Sequence, residues 1–390
     1  MSKLLVVKYG GSVLNDGAGI REAAAKVKTQ VENGNRVVVV VSALRGATDK
    51  LIEAATAIHP EVPRSVQDHI IRLGEEQSTR LFASALELTG IRAEEFTVDS
   101  PGWPIITDDC FGDADPIIEE CRKAVDLGLM PLLNRGVTPV VSGFVGRSIN
   151  GMVTTLGRGG TDTTATVLAR CLGADELVLV KDVGGVYSAD PHLVDESEKL
   201  VEISTRDAYL LSGNGAKVLH DKVFRHKNPE LDLRLISKGD SLTETGTVVR
   251  GDLPSVDVSV DDERIHGVSL VGEDASKSQV VQDAVDRLTA IGGIVHSIEA
   301  SEGRLAICFT HDALIALKAL HELVAHHGLK SISLKENLRR VTVSGKDVQL
   351  IRSKIQDILG LTGVTCVKIT QTGVSISVEE NALDSVLGFF

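Results

Sequence analysis

An alternation of strand and helix signals, beginning at the fourth residue, constrains this chain most. Two short β-branched runs, LLVVKYGG at 4–11 and NRVVVVVSALRG at 35–46, lead into glycine or serine turns. Between them, GIREAAAKVKTQVENG reads as a helix closed by Gly34. Such a β-α-β unit implies parallel strands, because the chain must cross back over the sheet before the second strand starts. The alternation continues. MPLLNRGVTPVVSGFVG holds a further strand, TDTTATVLARCLG a helix ending at Gly173, ADELVLVKDVGGVYSAD a strand running into a glycine loop, and STRDAYLLSGNGAKVLH a helix with a second glycine-rich stretch. Buried parallel strands sit between two helical layers. Ligands of such sheets bind beyond the carboxyl ends of the strands, which is where these glycine-rich segments fall.

The 390 residues are too many for one typical domain. A net charge of -13 argues against non-specific binding to nucleic acid or to an anionic membrane. No apolar stretch approaches the roughly 18 residues of a membrane span, and MSKLLVVKYGG lacks the features of a signal peptide, so a cytoplasmic location is expected. The five cysteines (Cys110, Cys121, Cys171, Cys308 and Cys366) form no CxxC pair. Reduced thiols are expected, without a disulfide framework or a zinc site.

The character changes near GTVVRGDLPSVDVSVDDERIHG, where Pro254 and the run Asp261-Asp262-Glu263 mark a boundary between about 250 and 265. An imperfect repeat follows. GVSLVGEDASKSQVVQDAVDRL is answered by RVTVSGKDVQLIRSKIQDIL, each with a strand, a glycine and a helix. Helical spacing puts Val281, Val285 and Leu288 on one apolar face, and Ile351, Ile355 and Ile358 on the other. Two β-rich stretches follow each helix, giving β-α-β-β-α modules. His296, His311, His326 and His327 show no ligand spacing and are read as surface or satisfied residues.

Six stretches could carry chemistry. In TTLGRGGTDTTA (154–165) glycines permit close backbone approach, and Thr161, Asp162, Thr163 and Thr164 open a helix that could receive an anion. Arg158 could hold a carboxylate bidentately. A helix N-cap without function accounts for Asp162 equally well. VLVKDVGGVYSADP (178–191) offers Lys181, Asp182 and Tyr187 beside two glycines, suited to a nucleotide or to a plain surface turn. Lys217 in GNGAKVLHDKV stands among small residues, as a phosphate ligand or a solvated lysine. Ser42 and Thr48 flank a glycine loop after a buried strand, and LGEEQSTRLF places Glu75 and Glu76 at a helix start, as dipole partners or as an ammonium site. Lys8 leads Gly10, Gly11 and Ser12 off the first strand, which is also ordinary turn chemistry.

In combination these stretches are more specific. VVKYGGS, VVVVVSALRGATDKL, GEEQSTRLF, PIITDDCFGDADP, VTTLGRGGTDTTA, KDVGGVYSADP, GAKVLH and TGTVV follow one another in the order of the aspartate kinase family, which the chain resembles over essentially its whole length. The resemblance implies a three-layer αβα amino acid kinase fold with a mostly parallel sheet, followed by two α+β ferredoxin-like ACT modules. The implied division is a catalytic domain at 1–255 and a paired ACT region, regulatory or dimerising, at 263–390. Within the catalytic domain, aspartate would bind to about 1–145 and ATP to about 146–255. It implies transfer of the ATP γ-phosphate to the β-carboxylate of L-aspartate, opening lysine, threonine and methionine biosynthesis. A kinase of another small carboxylate and a catalytically silent amino acid sensor are the alternatives.

Carried over by motif, Lys8, Asp162 and Lys217 would be catalytic. Ser42, Thr48, Glu75, Arg158 and Thr161 would bind aspartate. Lys8, Gly10, Gly11, Ser12, Lys181, Asp182, Tyr187 and Lys217 would line the ATP side. Mg²⁺ would ride mainly on ATP, with no metal site in the protein. A homo-oligomer and an amino acid effector at the ACT modules are implied, with no nucleic acid or membrane partner. The chain departs from the family pattern in KYGGSV for KFGGTSV, Lys181 for threonine, His192 for arginine, Asp221 for proline, and in lacking the PG before each regulatory helix.

Overall fold

The computed structural model describes residues 2–191, 193–213, 219–345, 347–369 and 373–390. The chain divides into two compact units, Met1–Leu253 and Pro254–Phe390.

The first unit runs β1 (Leu4–Tyr9), α1 (Gly17–Glu32), β2 (Arg36–Val41), α2 (Ala47–Ile58), α3 (Arg64–Leu88), β3 (Ala93–Phe96), β4 (Ile106–Thr107), α4 (Ile118–Asn134), β5 (Thr138–Ser142), β6 (Val145–Ser148), β7 (Val153–Thr155), α5 (Gly160–Leu172), β8 (Glu176–Lys181), β9 (Glu202–Ser204), α6 (Thr205–Gly213), α7 (Asp221–His226), β10 (Asp232–Ser237) and β11 (Thr247–Arg250). Its main sheet has the order β3-β5-β2-β1-β8-β10-β11-β9. Strands β3 to β10 along that order are parallel, and β11 turns back antiparallel beside β10. The sheet order reverses between β1 and β8, which opens a crevice at their carboxyl ends.

Period two sorts the side chains of β1. Leu5, Val7 and Tyr9 join Val37, Val39 and Val41 in a core shared with Ala23, Ala24 and Val27 of α1 and Phe82 of α3. Lys8 therefore faces the other side, where α5 lies. Helix α5 packs on β1, β2 and β8 and against α4 and α7, so Gly160 to Ala169 are all buried. A small side sheet, β4-β6-β7, was not evident from the sequence, because its strands are only two to four residues long.

The second unit runs β12 (Asp257–Val260), β13 (Ile265–Val271), α8 (Ser278–Ala290), β14 (Ile294–Ser301), β15 (Arg304–Thr310), α9 (Ala313–His326), β16 (Ser331–Ser344), α10 (Val348–Ser353), α11 (Ile355–Leu359), β17 (Val364–Ile369), β18 (Gly373–Glu379) and α12 (Glu380–Leu387). One antiparallel sheet, β14-β15-β13-β16-β18-β17, serves both modules, with β12 added beside β16. The expected β-α-β-β-α pattern appears twice, each with its own core. Ile351, Ile355 and Ile358 are buried as expected. On α8 the fully buried stripe is Val280, Ala284 and Leu288, one position round from the expected Val281 and Val285, which are half-buried. No described helix is long and apolar enough to cross a membrane.

Candidate active site

The site grows from the carboxyl ends of β1, β2 and β8. Lys8 is held at the end of a fully buried strand and is 8% exposed. Its Nζ lies 2.7 Å from Asp162 Oδ1. Lys181, last residue of the neighbouring strand β8, reaches the other carboxylate oxygen, Oδ2, at 3.2 Å. Burial alone would raise the Asp162 carboxyl. The ammonium groups of Lys181 and Lys8 outweigh burial and hold it well below the usual carboxylate range. Asp162 is not the N-cap of α5, because Gly159 holds that position in the left-handed region at φ 74. The capping explanation for Asp162 is thereby removed, and its side chain is free to organise two cations.

Of the two glycines after β1, Gly11 is the one required by space. A Cβ on Gly10 would sit 3.4 Å from Lys8 Nζ, and one on Gly11 would run into the Ala43 carbonyl. The β1–α1 turn and the β2–α2 loop thus touch through bare backbone, with half-buried Ser12 at the same turn. Ser42 follows β2, and its amide donates to the Tyr9 carbonyl at 3.1 Å. Thr48 lies in the first turn of α2.

Glu75 is 2% exposed and lies mid-way along the 25-residue α3. The expected helix start at LGEEQSTRLF is therefore corrected. The helix begins a full eleven residues before Glu75, because Pro63 supplies its N-cap, and a dipole role for the acids falls away. Glu76 pairs with Arg72 at 3.1 Å. Glu75 Oε2 is buried with no hydrogen-bond partner among the described residues. Burial pushes its carboxyl up to about 8, opposed by the Ala43 backbone amide and by Lys8. A buried acid with an unsatisfied oxygen next to Lys8 and the β2–α2 loop is set for an incoming cation.

Thr161 is 7% exposed at the start of α5 and packs on Gly143, beyond β5, where a Cβ would overlap it. Phe144 follows at φ 67, and its amide donates to Thr164 Oγ1 at 3.0 Å. Such a backbone persists only where its surroundings hold it. Arg158 is exposed on the β7–α5 loop, and its guanidinium makes no ion pair or hydrogen bond among the described residues. Asp182 and Tyr187 lie farther along, on the loop after β8. Asp182 is exposed, and Tyr187 bridges to Lys199. Lys217 and His192 lie outside the described residues.

Two anchors were missed in the sequence. Asp68 is 1% exposed on α3 and accepts from the Gly112 amide at 2.9 Å, the Thr155 amide at 3.1 Å and the Thr155 hydroxyl at 2.8 Å. It stands seven residues before Glu75 on the buried stripe of α3, and an acid inside that stripe is the signal that could have found it. Lys222 is 3% exposed, and its Nζ donates to Asp113 Oδ1 at 2.6 Å and to the Leu156 carbonyl at 3.0 Å. Nothing local in HDKVF marks it.

Residues 3–228 match the Amino acid kinase family. An aspartokinase of Thermus thermophilus is 31% identical over 388 residues, covering 96% of this chain and 94% of that protein. The chain belongs to the aspartokinases. The aspartokinase of Corynebacterium glutamicum is 29% identical, covering 98% of this chain and 94% of that protein. Among solved structures, aspartate kinase from Synechocystis aligns with TM-score 0.65 at 24% identity, over 99% of this chain and 68% of that one. Aspartokinase III of E. coli, in complex with lysine and aspartate, aligns with TM-score 0.57 at 24% identity, over 99% and 98%. The aspartokinase fold therefore extends through the C-terminal modules, as the repeat suggested.

Proposed function

We propose that this aspartokinase transfers the γ-phosphoryl group of ATP to the β-carboxylate of L-aspartate, giving 4-phospho-L-aspartate and ADP. A carboxylate oxygen attacks the γ-phosphorus, the new P–O bond forms, and the bond to the ADP oxygen breaks. Aspartate is ionised near neutral pH, so the attack needs no general base. The reaction instead brings together two anions, and catalysis consists of holding them in line and offsetting their charge. The observation that carries this reading is the Lys8–Asp162–Lys181 bridge beside buried Glu75, whose Oε2 has no hydrogen-bond partner among the described residues.

Lys8 faces the transferring group, and Asp162 fixes Lys8 and Lys181 side by side so that neither must reorganise as charge develops. Gly10, Gly11 and Ser12 let backbone approach the phosphates, and Lys181, Asp182, Tyr187 and Lys217 border the nucleotide. Glu75 takes the aspartate ammonium, Arg158 a carboxylate, and Ser42, Thr48 and Thr161 complete that side. Mg²⁺ carried on ATP would supply further charge neutralisation beside Lys8. The E. coli enzyme was solved with lysine as well as aspartate, which supports an amino acid effector at the C-terminal modules of this chain. A homo-oligomer built through those modules and a cytoplasmic site of action complete the reading.

The test is hydroxamate trapping of acyl phosphate formed from L-aspartate and MgATP, with and without lysine or threonine. Product is expected from wild type. Lys8→Ala should lose at least about 10²-fold in turnover, the usual cost of one preorganised electrostatic contact, while keeping its far-ultraviolet circular dichroism. Wild-type protein that is folded but makes no product from aspartate would reject the kinase.

A further inference from the structure

The C-terminal histidines showed no ligand spacing in sequence, yet the fold gathers two of them around a carboxylate. His326 ends α9 and His327 caps it, with their rings 4.7 Å apart at 88°. Asp283 comes from α8, more than forty residues upstream, which is why the set is invisible as a motif. The Asp283, His326 and His327 donor atoms all lie within 4.8 Å of one another. His327 Nε2 is 2.8 Å from Asp283 Oδ2. Gln279, one turn back on α8, donates to the other oxygen, Asp283 Oδ1, at 2.8 Å. That bond orients the carboxylate and leaves Oδ2 facing the imidazoles, as an outer-shell partner does for a metal ligand.

We propose that Asp283, His326 and His327 form a site for a zinc-class divalent ion that clips α8 to the end of α9. Two imidazoles and a carboxylate are a zinc donor set, and three protein ligands leave a fourth position for water. Bonds of about 2.0–2.2 Å place tetrahedral ligands about 3.4 Å apart. The His327–Asp283 pair needs to open slightly, and exposed His326 to swing in by about an ångström. Competing charge is already engaged: Arg287, one turn beyond Asp283, is paired with Glu322 of α9 at 2.5 Å. The carbonyl end of α9 and the net charge of -13 both favour a cation here. The site lies in the second unit, uses none of the proposed kinase residues, and does not depend on the kinase reading.

The experiment is titration of metal-stripped, full-length protein with Zn²⁺, and separately with Co²⁺, followed by calorimetry and visible absorption. One equivalent of Zn²⁺ should bind with micromolar or tighter affinity and raise Tm, and Co²⁺ should give the strong visible bands of a tetrahedral site. The Asp283→Asn, His327→Ala double variant should lose that equivalent and those bands. His326→Ala, a change at an exposed residue, should weaken binding at least about tenfold. Turnover with MgATP and aspartate, where present, should be unchanged in both variants, as should far-ultraviolet circular dichroism. Equal zinc uptake by wild type and double variant, or no uptake by wild type at micromolar zinc, would overturn the site.

Discussion

Glu75 sets opposite pH dependences for stability and for aspartate binding. In the folded chain its carboxyl holds a proton up to about 8, against an ordinary value of 4.5, because burial outweighs the Ala43 amide and Lys8. Between those two values the folded protein binds a proton that the unfolded chain has released. Stability therefore falls as pH rises through that window, by at most about 1.4 kcal/mol per pH unit. Glu75→Gln removes the effect, so the variant should gain on wild type between pH 5 and 9 in denaturant titrations without substrate. Binding moves the opposite way. An ammonium needs the ionised acid, so the wild-type KM for aspartate should fall from pH 7 to 8.5, and the Gln variant should show a high, flat KM. A flat wild-type profile would remove Glu75 from the ammonium site. The sequence could name Glu75 through the GEEQSTRLF resemblance, but not its protonation, which depends on burial by α2 and the β2–α2 loop.

Between elements, the site depends on staples that join distant parts of the chain. Lys222 of α7 ties the 113–115 loop to Leu156, just ahead of the Gly157–Gly160 turn that carries Arg158. A Cβ on Gly157 would overlap Asp113, so this turn and that loop are packed without spare room. Lys222→Met keeps the aliphatic stem but leaves three carbonyls and a carboxylate without their shared donor. The Asp113 side chain is itself 74% exposed, so the cost is that of orphaned carbonyl acceptors, about 1–3 kcal/mol. KM for aspartate should rise more than kcat falls, because Arg158 is displaced while Lys8 and Asp162 are not. Unchanged stability in urea titrations would show the staple to be redundant. This contrast explains what was legible. KYGGS, SALRGAT and LGRGGTD are local signals: the first two are glycine turns after the parallel strands β1 and β2, and the third is a glycine turn from the antiparallel β7 into α5. Lys222 and Asp68 act on partners tens of residues away: an acid inside the buried stripe of α3 flags Asp68 without naming its partners, and nothing in α7 flags Lys222.

Across the second unit, β16 decides how the modules are joined. The first part of its 14 residues pairs with β13, and Val341 to Ser344 pair on one side with β18 and on the other with β12. Asn337 at φ 57 and the register shift at Ile265/Gly267 mark the passage from one module to the other. The second module thus takes its fourth strand from residues upstream of the first, and the first module is inserted within the second. The repeat itself was readable from periodicity. The insertion was not, since it rests on pairing between residues about 80 positions apart, Asp257 with Ser344 to Val260 with Val341. A C-terminal fragment cut at residue 263 would lack β12. Its loss exposes the edge of β16 and uncovers the second core, against which Val256, Val258 and Val260 pack. At about 25 cal/mol per Å² of apolar surface, three half-buried valines amount to roughly 2–3 kcal/mol, and an open strand edge invites association. Residues 254–390 should therefore be monodisperse and more stable than 263–390, which should associate and melt lower, as read by light scattering and calorimetry. Equal behaviour of the two fragments would mean that β12 is dispensable and that the second module is complete without it.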